Sequence, residues 1–264
     1  MSQAIRPLAL GEVETLLQWA ATEGWNPGLG DAAAFRAADP EGFIGIFVDG
    51  IFAAGISAVA YDDAFGFIGL YICHPAYRGR GLGRAVWDAG MARLGERTIG
   101  LDGVPAQLSN YRSMGFEAAY ETVRMTGRPQ DLEDEGTVVE SVEQIMGIDR
   151  ACFPAPRPAF LAEWLKAPRR VLMLDGGYGV VRQCVTGSKV GPLFAPSTDV
   201  ALRLLGALTA GTVSIDVPVA QAAFVTALMD AGFTASFSTT RMYRGQNLGP
   251  APAQVFGITS LELG

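Results

Sequence analysis

The chain has 264 residues, 49% of them hydrophobic and 18% charged, with a formal net charge of −7. That length can bury two ordinary cores, and the composition is that of a soluble globular protein. No apolar run has the length of a membrane span, the start MSQAIRPLALGEVE lacks a secretory pattern, and no basic stripe offers nucleic acid a footprint.

Along the chain, GEVETLLQWAATEG carries apolar residues at helical spacing and DAAAFRAAD reads as a second short helix, with the loop WNPGLGD between them. The period then changes. GFIGIFVDGIFAAGISAVAYDDAFGFIGLYICHP reads as three strands turning at Asp49-Gly50 and Asp62-Asp63. A Gly-Arg loop leads into a helix over 83–94, and a strand RTIGLD follows. A helix ending at SMGF and a strand EAAYETVRM complete this half. Antiparallel hairpins mixed with one crossover unit make an α+β domain with a mixed sheet.

The acidic stretch GRPQDLEDEGT, with Pro129 and no periodicity, reads as a linker. After it the chain partly repeats. GFEAAYETVRM from Gly115 returns as GFTASFSTTRM from Gly232, and LDGVPAQ (101–107) has an echo in IDVPVAQ (215–221). Two matches in the same order mean that the second half is a diverged copy of the first. The expected division is 1–128, a linker at 129–137, and 138–264. The tail NLGPAPAQVFGITSLELG reads as a Pro-rich connector plus a short apolar strand that packs back on the protein.

Three cysteines (Cys73, Cys152, Cys184) are too few and too scattered for a disulfide framework or a zinc site. A single histidine, His74, nearly excludes the usual metal constellations. What remains is a cytoplasmic enzyme or binding protein with no nucleic-acid, membrane or metal partner expected.

The chemistry points to YICHPAYRGRGLGRAVWDAG, residues 71–90. Glycines at 79, 81 and 83 let several amides at a helix N-terminus converge on one anion, and Arg78, Arg80 and Arg84 can add positive charge. Such a loop suits a diphosphate. It is not a phosphate-binding NTPase loop, because Arg-Ala rather than Lys-Ser/Thr follows Gly83. A dinucleotide fold would open on its glycine signature, whereas here two helices and three antiparallel strands come first.

The pattern Arg78-x-x-Gly81-x-Gly83, after the strand FIGLYICHP and before Tyr111-x-x-x-Gly115-Phe116, resembles the pyrophosphate loop and Tyr-Gly-Phe motif of the GNAT superfamily of N-acetyltransferases. The two-part plan looks like a bacterial subgroup in which a degenerate GNAT-like domain follows the first. The resemblance implies two GNAT-like domains, each a mixed, mostly antiparallel sheet flanked by helices, with acetyl-coenzyme A as co-substrate. It implies a coenzyme site on Tyr71, Ile72, Cys73, Arg78, Gly79, Arg80, Gly81, Leu82, Gly83, Arg84 and Tyr111. One departure is Val104, where many members carry an asparagine that contacts pantetheine.

In the family the strand before the loop and the strand after the next helix splay apart. A backbone amide near Tyr71–Cys73 would polarise the thioester carbonyl, and Tyr111 would protonate the departing thiolate. Asp102, at the end of the strand RTIGLD, is the first candidate for a general base, its bland alternative being a helix cap. His74 before proline and Cys73 without a partner base read as structural. Trp25, Asn26 and Asp31, with Tyr61 and its neighbours Asp62 and Asp63, are the expected contacts to a cationic amine, or else turn and core residues.

Aligned through its GF motif, the second copy puts Leu228 opposite Tyr111 and APSTDVA (195–201) opposite the loop. That stretch has no glycine or arginine and brings Asp199 to the phosphate position, so the second copy should not bind coenzyme A. Asp216, the echo of Asp102, could still face a shared cleft. The expected activity is acetyl transfer to a primary amine of a small molecule or peptide, by a monomer or homodimer. The rival is an acyl-coenzyme A sensor that binds without turnover.

Overall fold

The computed structural model describes residues 2–129, 136–208 and 211–264. The first half runs β1 (Gln3–Pro7), α1 (Leu10–Thr22), α2 (Asp31–Ala38), β2 (Phe43–Val48), β3 (Ile51–Ala60), β4 (Phe65–Cys73), α3 (Leu82–Leu94), β5 (Thr98–Gly103), α4 (Leu108–Ser113) and β6 (Glu117–Gly127). The second runs β7 (Thr137–Val138), α5 (Glu143–Cys152), α6 (Pro158–Trp164), β8 (Arg170–Leu174), β9 (Gly177–Gln183) and β10 (Ser188–Phe194). It continues with α7 (Thr198–Leu208), β11 (Val213–Pro218), α8 (Ala222–Asp230), β12 (Thr234–Arg244) and β13 (Val255–Gly257). Most of the expected linker lies outside the described residues, and its last residue, Thr137, opens β7.

The elements follow the patterns that predict them. In α1 the buried residues are Val13, Leu16, Leu17 and Ala20, a single stripe at helical spacing. Glu12 fixes the start of that helix by accepting from the Ala9 amide at 2.8 Å. β2 and most of β3 are buried on both faces, which is why their sequences run apolar without alternation. β1 has no such signal, since all five of its residues are exposed; it pairs antiparallel with β2 at the sheet edge. None of the helices among the described residues is long and apolar enough to cross a membrane.

The strands form one sheet in the order β1-β2-β3-β4-β5-β12-β6-β11-β10-β9-β8-β7, with β13 against β10. The α+β expectation holds, and the two half-sheets are continuous because they exchange strands. β12 of the second half lies between β5 and β6 of the first, and β6 pairs in turn with β11. The exchange is built into the repeat. Asp102 on β5 stands opposite Arg241 on β12, and Asp216 on β11 stands opposite Arg124 on β6. Each aspartate therefore meets the arginine of the other copy. Both pairs are bidentate: Arg241 reaches Asp102 at 2.8 and 2.9 Å, and Arg124 reaches Asp216 at 2.7 and 2.9 Å.

Three large apolar clusters hold the sheet. One lies under α3 (Ile46, Ile56, Val86, Trp87, Leu101), and another under α7 and α8 (Val190, Leu204, Phe224). The third joins the halves, with Phe35 of α2 stacked on Trp164 of α6 at 6.0 Å. The tail does pack back, as its sequence predicts. β13 closes on β10, and residues beyond it run to β3 and β4, where the Ser57 hydroxyl donates to the Glu262 carbonyl at 3.2 Å.

Candidate active site

The site grows from the place where β4 and β5 part. The two strands pair in parallel from Phe65/Thr98 to Ile68/Leu101, and no further. Past that point β4 keeps its other partner, β3, but with an extra residue: Ser57 faces Gly69 while Gly55 faces Ile72. The bulge puts Leu70 at φ 47°, an uncommon conformation for a branched side chain. Gly69 to Cys73 thus continue without β5 beside them, so their backbone groups on that side can meet an added extended group. The splay inferred from resemblance is present in this chain.

At the end of β4 the loop turns into α3. Gly79 and Gly81 both have left-handed φ, +75° and +76°, and a Cβ at either would point into open space. Gly81 caps α3 without any side-chain hydrogen bond, and the helical ladder begins at the Ala85 amide. The amides before it have no acceptor within the helix, an arrangement that suits an anion. The equivalent terminus in the second half, at α7, differs: the Ser197 hydroxyl accepts from the Val200 amide there, and Asp199 pairs with Arg203. One helix start is open to an anion and its copy is closed by its own side chain.

The loop arginines do unequal work. Arg78 donates to the Cys73 carbonyl at 3.0 Å and pairs with Glu23 at 2.5 Å, bracing the loop against the end of α1. Arg80 lies over the Tyr77 ring, 5.3 Å from its centroid, and Arg84 pairs with Asp88 on the exposed face of α3. Leu82 is buried and anchors the first turn, and Ile72 is buried on β4. Burial raises the Cys73 thiol above its usual range, against the Arg78 charge and the Gly83 amide, as suits a strand residue rather than a nucleophile. His74 is structural as expected: its Nδ1 accepts from the Ala76 amide, and its ring meets Trp19.

Gly81→Asp should abolish binding of a diphosphate-bearing coenzyme and leave the fold intact. The added carboxylate would repel an anion at this helix start; its Cβ meets no neighbouring atom, so the strain of the left-handed φ at Gly81 stays local to the cap. Calorimetry with acetyl-coenzyme A should show no heat of binding with an unchanged circular-dichroism spectrum; retained affinity would remove the loop from the site.

The opening between β4 and β5 leads into a cavity of about 710 Å³. Tyr71, Asp102, Val104 and Tyr111 line one side, and Glu23 and Trp25 the mouth of the loop after α1. The other side belongs to the exchanged strands and the tail, with Arg124, Phe237, Thr239, Leu261 and Glu262. Tyr111 stacks on Trp87 at 5.8 Å, and burial, with Tyr71 nearby, pushes its phenol up to about 12. It is protonated at neutral pH and can donate. Val104, which replaces the family asparagine, lines the cavity with an apolar side chain.

The expected substrate residues divide. Trp25 is in the cavity wall. Asn26 instead bridges to the second half, its amide bonding both the carbonyl and the amide of Thr186 at 2.9 Å. Asp31 is buried, accepts from the Gly28 amide, and pairs with Arg169 and Arg182. Tyr61 donates to the Leu263 carbonyl at 2.9 Å and packs on Phe65 and Phe153. Asp62 caps its turn by accepting from the Ala64 and Phe65 amides, and Asp63 pairs with Arg97. Asp216 is covered by Arg124, which itself lines the cavity.

Asp102 does line the cavity, but both its oxygens already accept from Arg241. Burial raises its pKa against the pull of Arg241. Arg124 and Arg241 carried a signal in the sequence, the recurring Arg-Met that ends both repeat motifs. Glu262 carried none, standing in a tail with no recognisable pattern.

The profile of the acetyltransferase (GNAT) family matches residues 10–116, and that of an acetyltransferase (GNAT) domain matches 145–257. Holothin acyltransferase of Pseudoalteromonas sp. (strain SANK 73390) is 33% identical, the alignment covering 98% of this chain and 94% of that protein. A solved structure from Pyrococcus horikoshii, assigned as an acetyltransferase, superposes with a TM-score of 0.86 at 22% identity over 99% of this chain and 96% of that one. A tandem GNAT protein from the clavulanic acid biosynthesis pathway superposes with a TM-score of 0.63 at 14% identity, covering 95% of this chain and all of the other. The class is thereby an acyltransferase. The chain belongs to the GNAT superfamily, as a member with two GNAT domains in tandem.

Proposed function

We propose that this protein is a cytoplasmic N-acetyltransferase that moves the acetyl group of acetyl-coenzyme A directly to a primary amine of a small molecule or peptide. The observation that carries the reading is a cavity lined by the bulged strand, freed from its neighbour, and by a protonated Tyr111, with the open helix start next to it, where Gly83 lies against the hydroxyl of the cavity residue Tyr71. When bound, acetyl-coenzyme A supplies the acetyl thioester. The amides that open α3 would hold its diphosphate. The freed amides of β4 would line its pantetheine arm and give one donor to the thioester oxygen. Tyr111 would pass its proton to the sulfur as the carbon–sulfur bond breaks.

A cavity walled on one side by the second half favours a small acceptor, or the end of a peptide, over the surface of a folded protein. The named activity of the holothin relative supports a small molecule in the same sense. Asp102, in this reading, is held by Arg241 and shapes the cavity floor.

The test is release of free thiol from acetyl-coenzyme A with a panel of amino acids, polyamines, aminoglycosides and peptides. Amine-dependent release supports the proposal. Coenzyme binding with no release from any amine would leave the sensor reading in its place. Titration should also give one coenzyme per chain, since the α7 start is occupied by Ser197; two per chain would overturn the contrast drawn between the copies.

A further inference from the structure

Direct transfer requires the acceptor to arrive as a neutral amine, whereas an alkylamine near neutral pH is an ammonium ion. A carboxylate in the cavity or an ordered water can take that proton. Three of the residues that line the cavity carry carboxylates: Glu23, Asp102 and Glu262. Glu23 is paired with Arg78, and both oxygens of Asp102 are taken by Arg241. Among the described residues no hydrogen-bond donor and no cation within ion-pairing distance reaches the Glu262 carboxylate. We propose that Glu262, delivered by the tail of the second half, receives the ammonium group of the acceptor and takes its proton. This rests on the acetyltransferase reading above.

The segment is built to place that residue. Gly69, at the bulge of β4, has no side chain where one would collide with Glu262: a Cβ there would lie 2.2 Å from its carbonyl oxygen and 2.8 Å from its Cα. The strand that borders the thioester channel is thus in direct backbone contact with Glu262. Ser57 and Tyr61 of the first half bond the carbonyls of Glu262 and Leu263, and Arg157 holds Thr259 at 2.9 Å. Thr239, 3% exposed, lines the same cavity, and its buried hydroxyl has no partner among the described residues.

The charges around Glu262 are Arg124 of β6, Arg182 of β9 and Lys189 of β10, with Cys184 close to the same group. Arg124 pairs with Asp216, Arg182 shares the Asp31 carboxylate with Arg169, and Lys189 donates to the Trp25 carbonyl at 3.3 Å. In the step, one ammonium proton passes to the Glu262 carboxylate, and the freed nitrogen lone pair bonds to the thioester carbon. The carbon–sulfur bond breaks, and the thiolate takes the Tyr111 proton. The second proton, lost from the new amide nitrogen, restores Tyr111. Glu262 returns its own to solvent, so the products are the amide, free thiol and one proton.

The experiment compares wild type with Glu262→Gln, using the best acceptor from the amine panel. Acetyl-coenzyme A affinity by calorimetry and the circular-dichroism spectrum should not change. At neutral pH, kcat/KM for the amine should fall by roughly a hundred- to ten-thousand-fold. The deficit should narrow as pH approaches the pKa of the acceptor, because a carboxamide takes no proton and leaves the variant dependent on amine that is already neutral. A second readout uses the amine titrated into protein loaded with coenzyme A lacking the acetyl group: affinity below the amine's pKa should drop in the variant. A variant with unchanged kcat/KM, or with a deficit that stays constant across pH, overturns the assignment and leaves Glu262 a counter-ion for Lys189, with the acetyltransferase reading intact. If wild type releases no thiol with any amine, that reading fails and the assignment with it.

Discussion

Tyr111→Phe should keep coenzyme affinity and lose turnover. The ring remains, so the stack on Trp87 and the packing beside Phe116 survive. What disappears is a phenol whose pKa, pushed up to about 12 by burial first and Tyr71 second, keeps it protonated and able to donate throughout the neutral range. General acid catalysis contributes about a hundred- to ten-thousand-fold, and the turnover number should fall within that span when chemistry limits the rate. The Michaelis constant for acetyl-coenzyme A should move little, since in the proposed reaction the hydroxyl would act on the departing sulfur rather than on the bound ground state. Pre-steady-state kinetics would first establish that chemistry is rate-limiting. Near-full turnover under that condition would give the proton transfer to water and make Tyr111 a packing residue.

What the sequence made legible was local. The glycines of the loop, the Tyr-Gly-Phe step and the stripe of α1 each express their structure within a few neighbours, and each stands where it was expected. β1 was not legible, because an exposed edge strand of five residues needs no apolar alternation. Asn26, Asp31 and Tyr61 looked like amine contacts because a loop's composition cannot say which way it faces. Their partners, at Thr186, Arg182 and Leu263, lie more than a hundred residues away. Glu262 illustrates the same limit in reverse: its place depends on a missing side chain at Gly69, far away in sequence. The strand exchange was half legible. Aspartate and arginine recur in both copies, but only the sheet order shows that each pairs with the other copy's partner.

That exchange makes the second large effect. Arg241→Ala removes a guanidinium whose side chain is 4% exposed and leaves Asp102, fully buried, without its partner. Breaking a buried pair in this way costs about 3–5 kcal/mol, most of it from the stranded charge. The loss also includes the faces of Phe67 and Tyr120, over which Arg241 lies at 4.9 and 5.5 Å. The pH dependence has a definite sign. Burial already raises the Asp102 carboxyl above its unfolded value, and in the variant the opposing pull of Arg241 is gone. A carboxyl raised on folding favours the native state below its unfolded pKa, and that contribution is lost as pH rises through the folded one. Urea denaturation of the variant should therefore show a smaller deficit near pH 5 than near pH 8. Replacing both partners with apolar residues, Asp102→Leu with Arg241→Met, should recover much of the loss, because no buried charge is left. A deficit below about 1 kcal/mol in the single variant, or no coupling in the double-mutant cycle, would mean that β12 does not sit beside β5. The wall that the second half gives the cavity would fall with it, since Phe237 and Thr239 reach the site on that same strand.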